Sequence, residues 1–124
     1  MKQEIRTEKA PLPSGPYSQG VRVGSRVYVA GQRPSDPKTG RISEDFTEQA
    51  KQVLENVRHV LEAGGATMDD VVSVSVYLTD LANFSAFNEV YKTYFTAPFP
   101  TRTTISCSLR GILVEVNAVA EITE

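Results

Sequence analysis

From Phe46 to Ala63 the apolar residues Phe46, Ala50, Val53, Leu54, Val57, Val60 and Leu61 recur at three- and four-residue steps, which lines them along one stripe of a helix. Asp45 with Glu48 has the form of a capping box at its start, and Gly64-Gly65 ends it. A different period governs "VVSVSVYLTD". There Val72, Val74, Val76 and Leu78 alternate with Ser73, Ser75, Tyr77 and Thr79, the two-residue repeat of a strand with one apolar face. The second face, of small hydroxyls and a tyrosine, suits either a half-exposed sheet surface or one covered by another protein chain. A further stripe of Phe84, Phe87, Val90, Tyr91, Tyr94 and Phe95 predicts a helix over Asn83 to Phe95 with an aromatic edge turned to the core.

Upstream, Val21 and Val23, then Val27 and Val29, alternate around Gly24-Ser25 and predict a β-hairpin. The segment "RPSDPKTGR" reads as a structured turn, in which Pro37 presets its own φ and Gly40 can adopt a positive one. Near the C-terminus, Thr101 to Leu109 and Ile112 to Ile122 read as two strands joined by a tight hairpin at Arg110-Gly111. Pairing 109 with 112 would set Ser106 opposite Glu115 and Thr104 opposite Asn117, on the same face as Arg102. The order β-β-α-β-α-β-β predicts one α+β domain over residues 1–124, with both helices on one face of a mixed sheet.

Composition narrows the chemistry. Among 124 residues, 13 basic and 15 acidic side chains leave a formal charge of −2 without runs of one sign, which argues against a nucleic-acid backbone as partner. No window approaches the roughly 20 apolar residues of a membrane span, and the first residues lack a signal-peptide core, so the expected compartment is the cytoplasm. One cysteine and one histidine exclude an intrachain disulfide and leave a His/Cys metal cage short of ligands. Cys107 shares its strand row with Thr103, Ile105 and Leu109 and reads as a buried, inert thiol. His59 falls with Glu55 and Glu62 on the solvated face of its helix. Arg102 and Glu115 remain. On the expected register they share a polar surface roughly 13 Å apart, too far for a direct pair. They form part of a cross-strand ion network or do separate work, the arginine offering a planar fork to a carboxylate and the glutamate moving a proton of water.

Five segments in register, "GPYSQG", "GQRPSDPKTG", "YLTDLANFSAFNEVYKTYF", "FPTRTTI" and "VEVNAVA", resemble the RidA (YjgF-like) reactive-intermediate deaminase family over nearly the whole chain. The resemblance implies a chorismate-mutase-like α+β fold and a homotrimer with ligand sites between subunits. It also implies hydrolysis of 2-imino acids or their enamines, such as 2-iminopropanoate and 2-iminobutanoate, to a 2-keto acid and ammonia without metal or organic cofactor. Carried over by position, Arg102 matches the arginine that grips the substrate carboxylate, and Glu115 the glutamate associated with the hydrolytic water. Tyr17 matches an aromatic wall, Gly31 backbone lining the pocket, and Asn88 an asparagine near the interface. Thr104 stands where relatives often carry cysteine and Ala30 where they carry serine, so the pocket wall differs while the clamp is kept. The turn at Leu109-Arg110-Gly111 is shorter than the family's usual Leu-Pro segment. A non-catalytic trimer that binds small carboxylates or regulates a partner is the other function within the family's reach.

Overall fold

The computed structural model describes residues 1–123; Glu124, the last residue of the expected 1–124 domain, lies outside the described residues. Six strands form one sheet: β1 (Gln3–Ile5), β2 (Gly20–Val23), β3 (Arg26–Gln32), β4 (Val71–Leu78), β5 (Thr101–Ser106) and β6 (Val114–Glu121). Two helices, α1 (Phe46–Ala63) and α2 (Phe84–Tyr91), complete it. Spatial order is β1-β2-β3-β6-β4-β5, with β4 and β5 parallel and the other neighbours antiparallel, a mixed α+β sheet as expected.

The α1 stripe is the floor of the core. Ala50, Val53, Leu54, Val57, Val60 and Leu61 are all fully buried, against Val27 and Val29 of β3, Val74, Val76 and Leu78 of β4, and Val114, Val116, Ala118 and Ala120 of β6. Asp45 caps α1 by accepting from the Glu48 N–H at 3.0 Å. The box is not closed, because the Asp45 N–H turns to Ser43 Oγ and Glu48 pairs with Lys51. Gly65 ends the helix at φ +89°, a conformation that costs glycine little. Gly24 and Gly40 take positive φ in the expected β2–β3 hairpin and the 33–41 turn. Arg22 packs on the inner side of β2, its Nη1 donating to the Gly64 carbonyl at 2.9 Å, while Val21 stands opposite Tyr28 on the outer face.

Several expectations are corrected. Gly111 does adopt φ +71°, yet β5 and β6 are not a hairpin: β6 lies between β3 and β4, and β5 pairs with β4 at the sheet edge. Glu115 stands opposite Tyr77 and Asn117 opposite Ser75, while Thr104 stands beside Val76 and Ser106 beside Leu78. A register shift between Val71 and Ser73 moves Val71 into the core and leaves Val72 48% exposed. Helix α2 stops at Tyr91, and Tyr94 and Phe95 follow in turns that bond back to the Tyr91 carbonyl. The short β1 strand, whose buried anchor is Ile5, went unforeseen.

Candidate functional site

The expected site residues form two clusters on opposite faces of the sheet. The first is at the β5 edge. Because Arg102 lies beside Val74, whose side chain is buried under the helices, strand alternation turns Arg102 and Thr104 toward α2 and sends Thr103 and Ile105 to the open face. Helix α2 meets the guanidinium with three aromatic rings: Tyr91, Phe84 and Phe87 have their centroids 4.7, 5.4 and 5.8 Å from Arg102 Cζ. One turn beyond Phe84, Asn88 Oδ1 accepts from Arg102 Nη2 at 2.7 Å. Contacts of this kind contribute roughly 0.5–2 kcal/mol each and restrict a side chain that otherwise carries high rotamer entropy. Thr104 Oγ1 and the Tyr91 hydroxyl are buried without a hydrogen-bond partner among the described residues. Burial pushes the Tyr91 phenol above its ordinary pKa, against the opposing charge of Arg102, so it stays protonated.

The second cluster gathers where β3 and β6 diverge. Their register slips between Val29 and Gln32, which bulges the chain at Ala30-Gly31. Glu115 lies on the open face with its carboxylate directly against Gly31, where an added methyl group would overlap Oε2. Gly31 thus provides room for an acid rather than a special dihedral. Tyr17 stands nearby on the loop "SGPYSQG". Its N–H bonds the Gly15 carbonyl at 2.8 Å, and its hydroxyl accepts from the Ser14 N–H at 3.2 Å and lies 3.4 Å from Ser14 Oγ. The Ser14 hydroxyl and backbone lower the Tyr17 pKa, burial opposes them, and the charge of Arg33 adds to the lowering.

The loop is fastened by Gln19, which is buried: Nε2 donates to the carbonyls of Thr7, Ala10 and Pro11 at 2.9, 3.1 and 2.8 Å, and Oε1 accepts from the Thr7 N–H at 2.7 Å. Between this segment and the end of β3 is a cavity of about 180 Å³, walled by Leu12, Ser14, Tyr17, Gly31 and Arg33.

Tyr17, Gly31 and Glu115 therefore come together, as do Asn88, Arg102 and Thr104, but the two groups do not meet within one chain. The expectation that Arg102 and Glu115 share a surface is overturned, because β5 pairs with β4 rather than with β6 and the two side chains leave opposite faces. Cys107 is partly exposed just past β5 rather than buried, its N–H donating to the Leu78 carbonyl at 2.9 Å. His59 is half-buried rather than solvated, with Nε2 3.3 Å from Arg58 Nη2. Sequence reasoning assigned the α2 aromatics to the core and missed their second use as a bed for Arg102. The signal was available: Phe84, Phe87, Asn88 and Tyr91 occupy one face at steps of three, four and seven. Arg33 and Gln19 carried no such signal. No described helix is long and apolar enough to cross a membrane.

Comparison with known proteins bears on this arrangement. Residues 7–122 match the family model described as endoribonuclease L-PSP. A RutC family protein of Saccharolobus solfataricus is 49% identical, covering 98% of both chains. The 2-iminobutanoate/2-iminopropanoate deaminase of Salmonella typhimurium is 42% identical over 97% of this chain and 98% of its own. Among solved structures, E. coli TdcF with bound serine superposes at a TM-score of 0.94 with 38% identity, covering 98% of this chain and 99% of that one. RidA from Psychrobacter gives 0.93 with 41% identity, covering 97% and 99%. With the fold, the segment order and these similarities in agreement, the chain belongs to the YjgF/RidA family, whose matched model carries the name endoribonuclease L-PSP.

Proposed function

We propose that the protein is a hydrolytic deaminase of 2-imino acids and their enamines, acting as a homotrimer in the cytoplasm at sites shared between neighbouring subunits. The observation that carries this reading is the Arg102 guanidinium, bedded on three rings and pinned by Asn88 while retaining further donors. None of the ion pairs among the described residues involves Arg102 or Glu115. A preset, unclaimed guanidinium suits a planar carboxylate. Among the described residues, the arginine cluster includes no carboxylate to act as a base, and the glutamate cluster has no guanidinium bedded on rings as Arg102 is. A second copy docked on the open face would supply each with the other.

In such a site Arg102 fixes the substrate carboxylate beside the C=N carbon, with Asn88 holding the arginine and Thr104 lining the pocket behind it. Glu115, placed against Gly31, takes a proton from the attacking water as the new C–O bond forms. It returns that proton to the nitrogen of the carbinolamine formed from the protonated imine, then takes the hydroxyl proton as the O–H pair forms the C=O bond and the C–N bond breaks, releasing ammonia and the 2-keto acid. Tyr17 walls the cleft. The sequence of steps needs no metal or organic cofactor. The serine bound to E. coli TdcF has the same carboxylate–carbon–nitrogen unit as a 2-imino acid, which supports an amino-acid-like ligand here.

The test is subunit complementation in an assay coupled to threonine dehydratase, following 2-ketobutyrate release from the nascent imine. Arg102→Ala and Glu115→Gln should each be inactive, whereas trimers assembled from an equal mixture should regain about a quarter of parent activity, because random assembly unites an intact arginine with an intact glutamate in that share of sites. A parent protein that does not accelerate release removes the deaminase reading in favour of carboxylate binding alone. Mixed trimers of verified composition that stay inactive remove the shared site.

A further inference from the structure

Arg33 is a cation at the glutamate cluster with no part in the proposed hydrolysis. Strand alternation places it on the same side as Gly31, since Gln32 between them is buried. It walls the 180 Å³ cavity together with Tyr17 and Gly31, and its charge reaches the Tyr17 hydroxyl. Its backbone is fixed, because Asn56, fully buried in α1, donates from Nδ2 to the Arg33 carbonyl at 2.9 Å and to that of Ser35 at 3.0 Å. One guanidinium nitrogen, Nη2, donates to the Arg110 carbonyl at 3.0 Å, which orients the group and leaves its other donors uncommitted. None of the ion pairs among the described residues involves Arg33. The Glu115 carboxylate lies against Gly31 in the same cluster.

We propose that Arg33 is a specificity-determining residue that receives a second, side-chain carboxylate, so that the preferred substrates are imines of dicarboxylic amino acids. The inference rests on the deaminase reading and deepens it. With one carboxylate at Arg102 of one subunit and the reacting carbon at Glu115 of its neighbour, the substrate side chain runs toward Tyr17 and the Arg33 cavity. An aliphatic side chain would leave the guanidinium facing apolar groups. A terminal carboxylate two or three bonds further on would meet it with charge-assisted hydrogen bonds. The chemistry at the imine is unchanged. Only the ratio between substrates depends on Arg33.

The experiment generates imines in situ with amino-acid oxidases acting on aspartate or glutamate and on alanine or 2-aminobutyrate, and follows keto-acid release with the trimeric parent, Arg33→Gln and Arg33→Lys. The readout is the dicarboxylic-to-monocarboxylic ratio of kcat/KM, which a general structural disturbance lowering both rates together would not move. The parent ratio should exceed one, Arg33→Gln should reduce it by about 10- to 100-fold, and Arg33→Lys should retain part of it. A parent ratio below one, or a ratio unmoved by Arg33→Gln, overturns the proposal while leaving the deaminase reading intact. If no imine is hydrolysed, that reading fails by itself. The same variants are then compared for affinity toward 2-ketoglutarate and 2-ketobutyrate by calorimetry, and a preference for the former that Arg33→Gln leaves unchanged also overturns the role of Arg33.

Discussion

The arginine cluster and the glutamate cluster position their charged groups by opposite means. Arg102 is held by what surrounds it: three rings, one amide and the pairing of β5 with β4. Glu115 is held by what is missing, the side chain of Gly31, and by a loop that packs nearby through the four hydrogen bonds of Gln19. The first arrangement resists small changes because several contacts share the work. The second fails if one small group is added.

The contrast can be tested most severely at Arg102. Its replacement by alanine should reduce kcat/KM for imino-acid hydrolysis at least about a hundredfold, since two charge-assisted hydrogen bonds to a carboxylate are lost. Arg102→Lys should recover part of the rate without the fork. Because the guanidinium covers ring faces under α2, the alanine variant should also unfold a few degrees earlier by calorimetry, an effect that an arginine on a plain polar surface would not produce. An unchanged rate in a folded variant would remove Arg102 as the clamp.

Next in size is Gln19→Ala, which leaves buried carbonyls of the 7–11 segment without donors and should cost about 2 kcal/mol in urea unfolding. Amide exchange should rise first in residues 7–17, while the α2 edge keeps its protection. Equal loosening of both clusters would mean that they are not separately supported.

Gly31→Ala should lower kcat about tenfold by pushing the Glu115 carboxylate aside, with little loss of stability because the displaced group is the end of a flexible side chain near solvent. A parent-like rate would show that the position of Glu115 is not critical.

The smallest effect concerns the far end of α2. Tyr94 donates to Glu55 Oε2 at 2.6 Å, and Arg58 Nη2 bonds Oε1 at 2.6 Å, which ties the segment after α2 to α1. Burial alone would raise the Glu55 pKa, but the bonds from Arg58 and Tyr94 together bring it below its ordinary value. A lowered pKa in the folded protein means stability that is present above the unfolded value near 4.5 and lost as pH falls through the folded one. Chemical unfolding from pH 7 to pH 3 should therefore show a Glu55→Gln difference of under about 1 kcal/mol that fades below pH 4, since the pair is partly exposed. A difference that persists at pH 3 would assign the effect to packing.

Local periodicity revealed the elements, and pairing between distant segments eluded it. The α1 stripe, the β2–β3 hairpin and the alternation of β4 from Ser73 onward are written in adjacent residues, and the structure follows them. Gly111 does turn as Arg110-Gly111 suggests, but a turn does not oblige its flanking strands to pair. Val114, Val116, Ala118 and Ala120 bury one face of β6 under α1, and β6 gains hydrogen-bonding neighbours on both edges by entering between β3 and β4. The side of the sheet taken by Arg102 was misread for the same reason. An apolar row containing Ile105 and Cys107 looks like core, yet Ile105 is 44% exposed, and the inner position belongs to the arginine that the α2 aromatics can accommodate. The candidate site residues were named through the family resemblance. Their division between two faces required the register.

The insertion of β6 also orders events during synthesis. Its pairs Val27↔Ala120 and Val76↔Val116 join the C-terminal segment to strands made some 93 and 40 residues earlier. Until residues 114–121 leave the ribosome, the β1–β3 unit and the β4–β5 unit have no strand between them, and the apolar stripe of α1 lacks the middle of its floor. High contact order of this kind slows folding. Premature termination before Val114 leaves two half-sheets with open edges, a product suited to aggregation and to proteolytic clearance rather than to residual activity.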